Sequence, residues 1–336
     1  MAWGVAAVVT AGLVVGGVLA ARSGGDQPPA VLPALAPGAS QPARPSAGVA
    51  SRLSPPITYK LGVPPPNLPG RARAWKVGDT VDAARVAALA AALGLAGRPK
   101  EETYGWTVRD GRRALVAHKL AGVPWSFSNL PGVVGRPVAP ARPFRPPTLP
   151  SPAEAERVAR DLATRTGLDL NGATVRVSDS LTTRTVTFAP AVGGATASGF
   201  SWTVAVGAKG VVQHASGHLA TPEPADTYQL IGVEEGFERL KRSAPLGPIL
   251  RPEVASAVEL DPCQAGGKLP CRERLRPRVA TVTGARLGLQ LLSAMARGAG
   301  KPDVAYLLPA YLFDLKGGWT DTRAIIAVPD RYRTRP

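Results

Sequence analysis

Three histidines, His118, His214 and His218, offer the chain's main prospects for acid–base chemistry or metal binding. His214 and His218 stand four apart in GVVQHASGHLA. On a helix that spacing puts two imidazoles one turn apart, as in a zinc site. The surrounding residues read instead as a strand, where positions four apart lie ~13 Å apart along one face. That is too far to share an ion, so no metal site is expected. Ser216, between them, lacks the G-x-S-x-G elbow that exposes a nucleophile. No S-x-x-K or H-E-x-x-H motif occurs, and Gly266-Gly267-Lys268 lacks the earlier glycine of a phosphate loop. Asp303, Asp314 and Asp321 fall near predicted strand ends, where turns favour Asp anyway. The chain is therefore expected to be non-enzymatic and to carry no cofactor.

Two other groups of residues carry chemistry of a different kind. Cys263 and Cys271 close CQAGGKLPC, a short loop with Gly266, Gly267 and Pro270 that can bring its ends together. Outside the cytoplasm such a pair is expected to form a disulfide. Arg272, Arg274, Arg276 and Arg278 alternate directly after Cys271. If extended, they share one side and form a basic comb for anions, whereas Pro277 favours a solvated loop.

The chain has 336 residues and a formal net charge of +16. A surplus of that size attracts polyanions such as acidic wall polymer or anionic lipid headgroups. Nucleic acid is not an expected partner, because the protein reads as exported. Residues 2–20, AWGVAAVVTAGLVVGGVLA, carry no charge, and ~20 apolar residues span a hydrocarbon core. Two readings compete for the segment: a single-pass membrane anchor, or a signal peptide cleaved before Ala21 with Val18 and Ala20 as the small residues of the site. The first charge, Arg22, follows the segment, against the positive-inside rule, so the natural start is expected upstream. Either way the bulk of the chain is expected outside the cytoplasm, at the membrane or secreted.

Elements that would position these residues follow from periodicity. Residues 1–22 read as the transmembrane helix or signal, and 23–70 as a disordered Pro-rich linker. Residues 71–130 read as a small α+β unit with a helix over Asp79–Leu95, capped by Asp79 or Thr80. Residues 131–150 form a second Pro-rich linker. Residues 151–330 read as the main α+β domain of two helix-sheet units. Its first helix is announced by Ser151-Pro152-Ala153-Glu154, with Ser at the N-cap, Pro next and Glu three later. Strands are predicted at 173–178, 184–189, 200–206 and 211–219, then a helix over 232–242. After a long loop, strands resume at 279–291, 304–315 and 322–328. The pair Trp-Thr recurs at 106–107, 202–203 and 319–320. The expected class is α+β: an N-terminal transmembrane helix, a Pro-rich disordered spacer, then helices packed on antiparallel sheet.

The segments IGVEEGFERLKR (Ile231–Arg242), LLPAYLFDL (Leu307–Leu315) and IIAVPDRY (Ile325–Tyr332) resemble uncharacterised single-pass envelope proteins of actinobacteria. More distantly they are similar to PepSY-like and YycH/YycI-type extracytoplasmic domains, over about residues 150–332. The resemblance implies a non-catalytic regulatory or sensory module that binds a membrane partner, a sensor kinase or protease. It supplies no active-site residue. Charge and the Arg comb support a second expectation, a structural or wall-polymer-binding envelope protein. An envelope hydrolase, gathering His214 and a distant acid into a cleft, is the third.

Overall fold

The structure is a computed structural model and describes residues 29–32, 36–37, 57–78, 81–119, 122–129, 148–180, 182–243, 278–294, 304–317 and 322–332. The chain runs through β1 (Ala36–Pro37), β2 (Ile57–Leu61), β3 (Arg71–Val77) and helix α1 (Ala83–Ala92) into β4 (Lys100–Glu102), β5 (Gly105–Asp110), β6 (Arg113–His118) and β7 (Trp125–Ser128). Helix α2 (Pro152–Arg165) leads to β8 (Thr174–Asp179), β9 (Arg184–Ala189), β10 (Ala191–Val192), β11 (Ala195–Ser198), β12 (Trp202–Val206), β13 (Val212–Gly217) and β14 (Pro222–Gln229). Helix α3 (Val233–Arg242) precedes β15 (Arg278–Ala294), β16 (Val304–Lys316) and β17 (Thr322–Ile326).

These strands build two sheets. The first has eight strands in the order β4-β5-β6-β7-β13-β12-β9-β8, and each of its neighbouring pairs is antiparallel. The second follows the order β10-β11-β15-β16-β3-β14, with β1 and β2 also on β15 and β17 on β16. The chain crosses between them repeatedly: β3 belongs to the second sheet and β4 to the first, β10 and β11 leave the first sheet between β9 and β12, and β13 leads into β14. Strands from 71–130 and from 151–330 therefore pair within the same sheets, β7 with β13 and β3 with β14 and β16.

Helices α1 and α2 cover one face of the first sheet. Val86, Leu89, Ala155, Ala159 and Leu162 meet Val108, Leu115, Phe127, Val186, Phe188, Trp202 and Val204 in a single buried cluster. Ser151 caps α2 as the sequence predicts, accepting from the Glu154 N–H at 3.2 Å. Helix α1 starts later than predicted, because Asp82 caps it by accepting from the Arg85 N–H at 2.7 Å. Helix α3 lays Phe237 and Leu240 on Tyr311 and Phe313 of the second sheet. That sheet is packed on both faces, which is why β16, VAYLLPAYLFDLK, is buried almost without alternation.

The expected α+β class is corrected. Among the described residues 49% are strand and 19% helix. No helix among them is long and apolar enough to cross a membrane. An N-terminal transmembrane helix is not seen, and residues 2–20 lie outside the described residues. Sheet was under-read because prolines mask β14, PEPADTYQ, and charged residues interrupt β3, RARAWKV. The spacer is corrected too: within 23–70, Ile57–Leu61 pairs in parallel with β15, and Leu32 is 3% exposed under Tyr228 and Val328.

Candidate functional site

With both helices on one face of the eight-stranded sheet, the period-2 alternation of its strands sends the remaining side chains to the other face. The Trp-Thr repeat expresses this directly. Trp106 and Trp202 pack with the helix-side cluster, and Thr107 and Thr203 project the opposite way. The third pair, 319–320, lies outside the described residues.

The strand registers align the outward side chains into rows. Lys100, Thr107, Val116, Ser126, Ser216, Thr203, Thr187 and Arg176 stand opposite one another in successive strands. At ~4.8 Å per strand, this row is roughly 34 Å long. A second row runs Arg109, Ala114, Ser128, His214, Ala205, Thr185, Ser178. Among the described residues, none of these side chains joins a buried apolar cluster. The hydroxyls of Thr107, Ser126, Ser216, Thr203 and Thr187 bond no other described residue. Each can both donate and accept. Cations mark the ends of the long row, with Arg109 beginning the second. The carboxylate beside them, Glu102, lies 3.7 Å from Lys100.

One end of this face deepens into a cleft. Glu102, Gly105 and His118 are in register, and β6 backbone packs so closely on Gly105 that no side chain fits there. A Cβ there would run into the Ala117 carbonyl. Tyr104, 71% exposed at the hairpin turn, forms the rim, and Thr107 and Val116 line the same cleft. Partial burial holds the His118 imidazole below its ordinary pKa, favouring the neutral ring.

His218 has a different role. It is 5% exposed, stacks on Phe200 at 4.7 Å, and its Nε2 lies 3.1 Å from the Gly199 carbonyl oxygen. That contact makes Nε2 the donor and leaves buried Nδ1 without a partner among the described residues. Desolvation lowers its pKa to about 4, partly opposed by the Gly199 bond. Its own carbonyl accepts from Trp202 Nε1 at 3.2 Å, and Trp202 meets Trp125 edge-on at 5.0 Å. His218 thus pins the crossing from the first sheet to the second.

His214 is exposed on β13, and His218 ends the strand beyond it, so the two share no ligand geometry. Among the described residues no group of three or more His, Cys, Asp or Glu side chains is placed to hold a metal. Ser216 sits in the long row beside Thr203 and Ser126, two residues along β13 from His214. Asp314 pairs with Arg286 and accepts from the Thr322 hydroxyl at 3.2 Å. Cys263, Cys271, Arg272, Arg274 and Arg276 lie outside the described residues, as do Asp303 and Asp321; Arg278 begins β15. A second, shallow apolar groove runs between Leu61, Val63, Pro64–Pro66 and the α3 residues Val233 and Phe237.

The rows escaped sequence reading. Their signal is the alternation of Ser or Thr with large apolar residues in WSFS, RTVTFA and WTVAV. Which hydroxyl faces which depends on register between distant strands.

No protein-family model and no curated protein matches the chain. Among solved structures it is similar to an uncharacterized protein from Eubacterium rectale, with a TM-score of 0.41 and 12% identity over 76% of this chain and 82% of that one. The Bacillus megaterium YpeB C-terminal domain aligns with a TM-score of 0.31 and 11% identity over 74% of this chain and 99% of its own. Neither likeness carries an argument about family or function.

Proposed function

We propose that this protein is a non-enzymatic binding module acting outside the cytoplasmic membrane, and that its working surface is the open face of the eight-stranded sheet. The observation that carries the reading is the row from Lys100 to Arg176: hydrophilic groups held in register by seven of the eight strands, Val116 standing on the other, with hydroxyls that no described residue occupies. A rigid sheet fixes such groups better than loops do, and fixed donors and acceptors bind with less entropy loss. The uncharged run at 2–20 and the Cys263–Cys271 spacing support an exterior location.

A second reading keeps the regulatory role toward a membrane-bound kinase or protease. It draws on the apolar groove, where Leu61 is 44% and Val63 40% exposed. Exposed apolar side chains around a packed aromatic suit a protein segment better than a hydroxyl row does.

Photo-crosslinking in cells separates the two. We expect p-benzoylphenylalanine at position 203, on the open face, to yield an adduct, and the same residue at position 157, on the outer side of α2, to yield none. An adduct at position 61 alone would replace the first reading with the second. Equal labelling at positions 203 and 157 would overturn the open face as the working surface.

A further inference from the structure

We infer that the open face takes an extended, hydroxyl-rich polyanion, an acidic polysaccharide strand, laid across the β-strands along the row from Lys100 to Arg176. This rests on the binding reading proposed above and names the ligand of that same surface.

The row has the length, shape and chemistry for such a ligand. A run of roughly 34 Å across eight strands is long for a small molecule, and the cleft at its Lys100 end stops at Val116. What it does offer is repetition. Moving along the row, a ligand meets a hydroxyl on five of the six strands between the terminal cations, the exception being Val116. Those hydroxyls donate and accept, and so do the hydroxyls of a sugar, so each pair can match in either direction. A chain of phosphates or carboxylates alone would leave half of that capacity unused. Charge supplies the second half of the match. Lys100, Arg109 and Arg176 put three cations on the rows, with Glu102 beside Lys100, on a chain whose formal net charge is +16. Tyr104, exposed at the cleft end, presents a ring face on which the apolar side of a sugar can rest, with Glu102 and His118 beside it.

The same residues argue against other partners. Protein interfaces concentrate binding energy in aromatic, Met and Arg anchors, and Ser and Thr are under-represented among them. The central part of the row is Ser and Thr. Single-stranded nucleic acid needs successive aromatic platforms, and among the described residues this face presents one strongly exposed aromatic ring, Tyr104. A lipid surface needs buried apolar area, which Val116, Ala114 and Ala205 do not provide.

The test uses the purified full chain in affinity electrophoresis and interferometry with three probes: polygalacturonate, neutral dextran and poly-L-glutamate. Polygalacturonate should bind, weakening as salt rises, and the other two should bind about tenfold more weakly or worse. The triple variant T187V/T203V/S216A should lose about tenfold in affinity for polygalacturonate with an unchanged melting curve, and R176E should lose both affinity and salt dependence. Poly-L-glutamate binding as well as polygalacturonate would reduce the face to charge attraction and overturn the inference. Dextran binding equally well would remove the role of the cations and overturn it too. So would no binding, or a triple variant that binds normally. If position 203 crosslinks a protein while polygalacturonate goes unbound, the binding reading survives and the polysaccharide falls; if position 203 captures nothing, both fall.

Discussion

His218 shows how a side chain suited to chemistry becomes a structural part. A buried imidazole with one bonded nitrogen and one orphan is stable only while neutral, since a second proton would place a charge where nothing solvates it. Its pKa is lowered to about 4 in the fold from an ordinary 6.5. The folded state thus resists protonation, and the stabilisation this brings is complete above pH 6.5 and lost as pH falls toward 4. At pH 4.5 the loss amounts to ~2–3 kcal/mol relative to neutral pH. His218→Gln keeps a donor for the Gly199 carbonyl and does not titrate. Urea unfolding at pH 7.5 and 4.5 is expected to show a clearly smaller pH effect in this variant than in the unaltered chain. Equal pH effects would mean that other groups carry the acid sensitivity. Neighbouring Gly217 belongs to the same unit, because a Cβ there would sit 2.6 Å from the Trp202 ring.

At the scale of elements, local signals and packing divide the work. Helix α2 was readable from Ser151, Pro152 and Glu154 because capping acts within one turn. Ser151→Ala is expected to cost ~1 kcal/mol, seen as a lowered urea midpoint with an unchanged slope. Strand β9, RTVTFA, was legible from its alternation, and β12 and β13 from the Gly207-Ala208-Lys209-Gly210 connection between them. β14 was not legible, since Pro222 and Pro224 look like loop residues. Pro224 is accommodated beside a register shift between Pro224 and Thr227, and that irregularity is visible only once β3 is in place. The candidate surface was legible in its parts, as Ser and Thr on predicted strands, but not as rows. Joining Ser126 to Ser216 requires β7 to pair with β13, ninety residues away in the chain, and no local propensity encodes that.

The whole molecule is held together by its crossings. β10 and β11 leave the first sheet to join the second and the chain then returns as β12, so neither sheet is complete without the other's segments. Division into a small unit at 71–130 and a main domain at 151–330 is natural in one dimension, where Pro-rich stretches punctuate the chain. In three dimensions the strands of both stretches share ladders. Unfolding is accordingly expected to be one event. In a Trp75→Phe variant, tryptophan fluorescence, which among the described residues then reports Trp106, Trp125 and Trp202 of the first sheet, should change at the same urea concentration as amide protection in β15 and β16 of the second. Separate midpoints would show that the sheets unfold independently.

The division of the first sheet into a helix-covered face and a hydroxyl-lined one has a consequence for how this protein can change over generations. Thr203 and Val204 are neighbours in the chain, yet Val204 answers to the core and Thr203 does not. Substitutions at alternate positions of the same strand are therefore judged by different criteria. One set is held by packing; positions such as Thr203 lie outside the apolar clusters and can follow whatever lies against them at less risk to the fold. Descendants of this chain can retune what they hold while inheriting the frame intact.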